Sequence, residues 1–188
     1  MANLPKSNIY IAGFMGTGKS TLGKELAKML GRKFIDMDRE IEKEEKLSLA
    51  QIFSDFGEEY FKKKELELAH KLSDMKNRVV ATGGTTILNE DIKNLFLKSG
   101  LIICIKADEK SLEERLRKLH QRPQLHGDDS LISRIREFLA NKGEIYKKVS
   151  IQLDTTDLTP KQGAEKIVNL LKTRQKILQR LNYQYLEL

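Results

Sequence analysis

Cysteine is nearly missing from the 188-residue chain: Cys104 stands alone. That excludes an internal disulfide framework and a cysteine-based zinc site, and it fits a reducing cytosol. Histidine is scarce as well, and His70, His120 and His126 have no spacing suited to ligation. Tryptophan is absent and aromatic residues make up only 6%, which leaves little to stack on nucleic-acid bases. No apolar run reaches the ~20 residues of a membrane span. The first residues, Met1-Ala2-Asn3-Leu4-Pro5-Lys6, lead into a strand pattern rather than a signal-type apolar region. The expectation is a soluble cytoplasmic protein with neither nucleic acid nor membrane as partner.

What is present fits one compact domain over 1–188. Apolar residues make up 39% and charged residues 32%, so the surface is densely charged around a core of ordinary size. The formal charge is +7, with lysine and arginine spread along the chain among 27 acidic residues. A diffuse positive balance suits small phosphorylated or carboxylated substrates better than a nucleic-acid backbone.

Apolar runs at 8–13, 78–82, 101–106 and 150–154, with a weaker one at 33–36, read as strands. They do not alternate, so they are expected to be buried on both faces, as in a parallel sheet. Between them run helical stripes. Leu22, Leu26, Met29 and Leu30 follow Gly18 and stop at Gly31; Asp108 precedes Leu112, Leu116 and Leu119; Leu131, Ile135, Phe138 and Leu139 form another. The last stripe starts near Thr159-Pro160 and continues through Ala164, Ile167, Val168, Leu171, Leu178 and Leu181, leaving 173–188 as a C-terminal helical extension. Strands alternating with helices give an α/β three-layer sandwich, a five-stranded parallel sheet with helices on both faces. Two segments break the alternation. Residues 46–72 hold two helical patterns interrupted at Asp55-Phe56-Gly57, and 121–129 is a polar loop with Pro123 and Gly127.

The strongest motif is Gly13-Phe14-Met15-Gly16-Thr17-Gly18-Lys19-Ser20, which fits G-x-x-x-x-G-K-[ST] between a strand and a helix. Such glycines let successive N–H groups turn inward onto phosphate oxygens, and the helix N-terminus adds partial positive charge. Lys19 is expected on the β- and γ-phosphates and the Ser20 hydroxyl on magnesium. Accident would produce this pattern in about one chain in a hundred of this size. A nucleoside triphosphate with Mg²⁺ is therefore implied.

Two carboxylates follow in Phe34-Ile35-Asp36-Met37-Asp38. In an extended strand they share a face, so both Asp36 and Asp38 would point at the phosphates, one to hold magnesium's water shell and the other to accept a proton from, or orient, an attacking hydroxyl. The plainer alternative is that Asp38 caps the helix opening at Arg39. A third feature is Ala81-Thr82-Gly83-Gly84-Thr85, a strand running into glycines that lets a ligand approach the backbone. Thr82 is placed to bond a water of the magnesium shell.

Taken together, the sequence resembles the shikimate kinases, members of the P-loop NTPase fold, over about residues 8–172. The resemblance rests on the phosphate loop continued through Thr21-Leu22-Gly23, on Asp36, Asp38, Ile41 and Glu42, and on Phe56-Gly57-Glu58 with Phe61 and Glu65. Ala81 to Gly84, Arg122-Pro123 and Tyr146 follow in order. It implies transfer of the ATP γ-phosphoryl group to the 3-hydroxyl of shikimate, a step of aromatic amino-acid biosynthesis, by a monomer. By the same resemblance Gly16 to Thr21 cradle ATP, Asp38 holds the reacting hydroxyl, Gly83 and Gly84 present backbone to the acceptor, and Glu65, in the acceptor-binding helices of 46–72, supports that pocket. Arg122 is the arginine of the 121–129 lid, which excludes water, and Arg115 flanks the adenine.

Three positions depart from that family's pattern. Lys62 and Lys142 stand where the family clamps the substrate carboxylate with arginines, and Thr85 stands where it has a third glycine. Lysine keeps the charge and loses the planar fork, a loss of ~1 kcal/mol or roughly fivefold per site. Thr85 adds a β-branched side chain that resists positive φ. All three lie on the acceptor side. The alternatives are thus another polyol or hydroxy acid as acceptor, or a nucleotide-binding regulatory protein without acceptor turnover.

Overall fold

The computed structural model describes residues 7–119, 146 and 149–186. Its centre is a five-stranded sheet built from β1 (Asn8–Ala12), β2 (Lys33–Asp36), β3 (Arg78–Ala81), β4 (Gly100–Lys106) and β5 (Gln152–Asp154). The spatial order is β2-β3-β1-β4-β5 and every pairing is parallel. All five expected strands form, the weak one at the sheet's edge. Strand β1 is central and buried along its whole length, which is why its sequence carries a continuous apolar run instead of an alternating one.

Successive β1 residues feed two separate cores, as the two-residue period of a strand requires. Tyr10 and Ala12 join Met37, Ile41, Ile52, Leu72, Ile92 and Phe96 on one face. Ile9 and Ile11 join Leu22, Leu26, Val79, Ile103, Ala164 and Ile167 on the other. The first face is covered by α2 (Met37–Glu45), α3 (Leu49–Asp74) and α4 (Glu90–Ser99), the second by α1 (Lys19–Leu30) and α6 (Pro160–Leu186). This is the expected three-layer sandwich.

Local chemistry fixes the helix ends. Helix α1 stops at Gly31, in the left-handed region at φ 63°. Ser48 and Gln51 form a capping box that opens α3, and Thr159 and Gln162 bond reciprocally in front of Pro160 to open α6. In α5 (Glu109–Leu119) the Asp108 carboxylate accepts from the Ser111 N–H at 2.7 Å. The interruption expected near Gly57 is a kink inside α3, where Gly57 takes φ 79°, ψ 177°. Helix α4 was not among the expected stripes, although Asn89 caps it through bonds from the Asp91 and Ile92 N–H groups. Residues 121–129, with Arg122, the stripe from Leu131 to Leu139, Lys142, His120 and His126 lie outside the described residues, as do the side chains of Leu119, Leu178 and Leu181. No described helix is long and apolar enough to cross a membrane.

Candidate active site

The loop after β1 wraps as its glycines demand: Gly13, Gly16 and Gly18 take φ values of 141°, 78° and 94°, a region that costs an L-residue strain. Lys19 folds back over this loop, its ammonium donating to the Gly13 and Phe14 carbonyls at 2.8 and 3.0 Å. Burial pulls Lys19 down to about 8, against the opposing charges of Asp38 and Asp36. An ammonium held over a glycine-rich loop at the N-terminus of α1 suits phosphate oxygens. Beside it, the Ser20 hydroxyl donates to Asp36 Oδ2 at 2.6 Å. A hydroxyl and a carboxylate in contact are hard oxygen donors of the kind magnesium takes together with phosphates and water. No cluster of three or more histidine, cysteine, aspartate or glutamate ligands exists among the described residues.

Asp38 reaches the site by a route other than the expected one. The chain turns helical at Met37, so the two aspartates do not share a strand face. The cap is Asp36, whose Oδ1 accepts from the Arg39 N–H at 3.4 Å, and Asp38 sits in the helix's first turn. Residues two apart there point in nearly opposite directions. Asp36 therefore turns to Ser20 while Asp38 turns to the loop after β3. Burial, with Asp36 nearby, raises the Asp38 pKa, and Lys19 opposes that rise.

Gly83 marks where the second half of the site converges. A Cβ on it would lie 2.8 Å from Thr86 Oγ1, 2.9 Å from Asp38 Oδ1 and 2.9 Å from Glu65 Oε1. Three side-chain oxygens from three elements thus surround one point that only glycine leaves open. Glu65 is buried, and the Thr86 hydroxyl donates to its Oε1. Burial pushes the Glu65 carboxyl up to about 7, while the Thr86 bond pulls it down. The neighbouring Gly84 abuts the phosphate loop, since a Cβ there would sit 3.7 Å from the Met15 nitrogen. Tyr146 donates its hydroxyl proton to the Gly84 carbonyl and pins the same turn.

Other expected residues fall as follows. Thr82 is buried beneath the turn, its hydroxyl 3.1 Å from the Gly83 carbonyl and 3.4 Å from that of Ile11. Thr85 is exposed at φ −114°, so no positive φ is required of it and the expected backbone strain does not arise. Lys62 is half exposed and pairs with Glu58 at 2.9 Å and Glu59 at 3.4 Å on its own helix. Arg115 donates to the carbonyls of Thr155 and Thr156 at 2.8 and 3.1 Å and to that of Thr17 at 3.4 Å, tying the loop after β5 to the phosphate loop. With Gly18, Thr21, Leu158 and Pro160 it borders a cavity of about 190 Å³ beside the phosphate loop. Cys104 is core, its thiol pushed up to about 11 by burial. Sequence reasoning missed Thr86 and Thr155; the latter, buried, bonds Lys106 O at 2.9 Å and Thr17 O at 3.3 Å.

Comparison with known proteins bears on what this pair of half-sites is for. The family described as shikimate kinase matches residues 15–172. The chain belongs to the shikimate kinase family. The shikimate kinases of Thermodesulfovibrio yellowstonii and Caldanaerobacter subterraneus are each 40% identical to it over 161 residues. That is 86% of this chain and 92% and 94% of those proteins. A shikimate kinase from Acinetobacter baumannii, solved in complex with shikimate, superposes with a TM-score of 0.82 at 29% identity, over 92% of this chain and 95% of that one. As a member of the shikimate kinase family the chain is an ATP-dependent phosphotransferase. A gluconokinase from Sinorhizobium meliloti, at 17% identity and TM-score 0.59, shares the fold alone.

Proposed function

We propose that this chain transfers the γ-phosphoryl group of ATP to the 3-hydroxyl of shikimate. The observation that carries the reading is the contact between the two half-sites: the turn bearing Gly83 and Gly84 meets the phosphate loop at Met15. A triphosphate in that loop and an alcohol beside Asp38 would then be neighbours. Gly13, Gly16, Thr17, Gly18, Lys19, Ser20 and Thr21 hold the phosphates, and Arg115 stands beside the nucleoside. Asp38 accepts a hydrogen bond from the acceptor hydroxyl. As the new O–P bond forms and the β–γ bridging bond breaks, the hydroxyl proton passes to that carboxylate and ADP leaves. Positioning and charge stabilisation do most of the work, because the phosphoryl group needs little covalent help.

Magnesium would be held by Ser20, with Asp36 and Thr82 bonding its waters, and would neutralise phosphate charge. The acceptor's ring lies against Gly83 and Gly84, with Glu65 behind it. Lys62 and Lys142 supply the positive charge for its carboxylate, and Arg122 closes over the phosphates. The enzyme works as a cytoplasmic monomer with no nucleic-acid or membrane partner.

Purified chain incubated with ATP, magnesium and a panel of shikimate, quinate and gluconate tests the reading through coupled ADP release. Shikimate should give the highest kcat/KM. A tenfold preference for another acid would assign the pocket to that acceptor, and ATP binding without turnover of any acid would make the chain a regulatory relative.

A further inference from the structure

The corner at Gly83 holds two carboxylates, Asp38 and Glu65, and one hydroxyl, that of Thr86. Glu65 is 4% exposed and Thr86 fully buried. An ionised carboxylate in such a place loses its hydration and is repelled by Asp38, and both effects favour a proton. Among the described residues, what opposes them is limited. Lys62, on the same helix, attracts the charge at a distance while its ammonium is paired with Glu58 and Glu59. Tyr146, within electrostatic reach of Glu65, stays a neutral phenol, its pKa pushed up by burial. The direct donor is Thr86, one turn beyond the glycines in the 3₁₀ segment Thr86–Leu88.

We propose that Thr86 is a positioning residue for the acceptor site, its hydroxyl holding Glu65 ionised and turned toward the Gly83 corner so that this carboxylate accepts a hydrogen bond from the acceptor. A protonated Glu65 would offer a donor where an acceptor is needed. The hydroxyl thus sets the pH above which the pocket takes its substrate. This inference rests on the acceptor reading above and adds to it a residue that contacts neither ATP nor the reacting oxygen.

Three variants of the full chain test it: Thr86→Val and Thr86→Ala, which remove the hydroxyl with and without the bulk, and Thr86→Ser, which keeps it. The first measurement needs no acceptor. The carboxyl carbon of Glu65, identified through Glu65→Gln, is titrated by ¹³C NMR in each variant that melts cooperatively. Loss of one charged hydrogen bond moves the midpoint up by about one pH unit, and Thr86→Ser should stay near the native value. The second measurement is kcat/KM for shikimate between pH 6 and 9. With Val or Ala it should fall about fivefold near pH 7, as the ionised fraction of Glu65 drops, and recover by pH 9, with KM for ATP unmoved. An unchanged Glu65 midpoint, or a loss in Thr86→Ser equal to that in Thr86→Val, overturns the proposal. So does a kcat/KM deficit that persists at pH 9. If the native chain fails to turn over shikimate, the acceptor reading falls, and the titration alone decides whether Thr86 controls Glu65.

Discussion

Replacing Glu65 with glutamine should stabilise the protein above neutral pH while damaging its activity. The Glu65 carboxyl ordinarily ionises at 4.5 and in the fold does so at about 7, chiefly because burial disfavours its charge. Its folded pKa lies above the unfolded one. The fold therefore carries no ionisation penalty below the unfolded pKa and acquires one as pH rises through the folded pKa. Above pH 8 that penalty is about 3 kcal/mol. Glutamine fills the same space, can accept from the Thr86 hydroxyl, and turns an amide donor rather than a second negative charge toward Asp38. Thermal melts at pH 5 and pH 8.5 read the difference between native and Glu65→Gln proteins, with other titrating groups cancelling. The variant should melt about 5–10 °C higher at pH 8.5 and about equally at pH 5. At pH 8.5, KM for shikimate should rise at least tenfold, since a charged acceptor has been lost. A melting difference that is the same at both pH values, or a variant less stable at pH 8.5, would refute the claim that Glu65 is ionised there at the fold's expense.

Three further outcomes follow from the same geometry. Asp38→Asn should lower kcat for shikimate by 10² or more, as expected for a lost proton acceptor, while ATP affinity by titration calorimetry stays within a few-fold. Lys62→Arg should restore a planar fork for the substrate carboxylate and lower KM for shikimate about fivefold; an unchanged KM would place Lys62 outside the pocket. Gly83→Ala puts a methyl within 2.9 Å of the Thr86, Asp38 and Glu65 oxygens. It should cost about 1–3 kcal/mol of stability in denaturant melts and abolish shikimate saturation.

The fold was legible because the inner strands β1, β3 and β4 are largely buried, so that apolar runs such as that of β1 stand out between helical stripes. Helix α4 was missed although Asn89 carries its cap, because Ile92 and Phe96 make only a short stripe. The phosphate half of the site is local: Gly13 to Ser20 are consecutive, and loop geometry follows from composition. The acceptor half is not. Asp38 was found for a partly mistaken reason, since the cap at Asp36 turns the chain helical before Asp38, and the two carboxylates bear on Lys19 without sharing a strand face. Thr85 looked obstructive partly on the assumption of a positive φ, and its observed φ of −114° removes that part of the objection. The Glu65–Thr86 pair joins residues 21 apart on different elements, and no spacing rule connects them. Thr155 and Thr17 meet across a still longer separation.

The central claim is that a triphosphate in the Gly13–Thr21 loop faces an alcohol steadied by Asp38. A crystal structure with a non-hydrolysable ATP analogue, magnesium and shikimate tests it most directly. The 3-hydroxyl should lie within ~3 Å of an Asp38 carboxylate oxygen and in line with the γ-phosphate. A shikimate bound with that hydroxyl turned away from Asp38, or a triphosphate seated outside the loop, would contradict it.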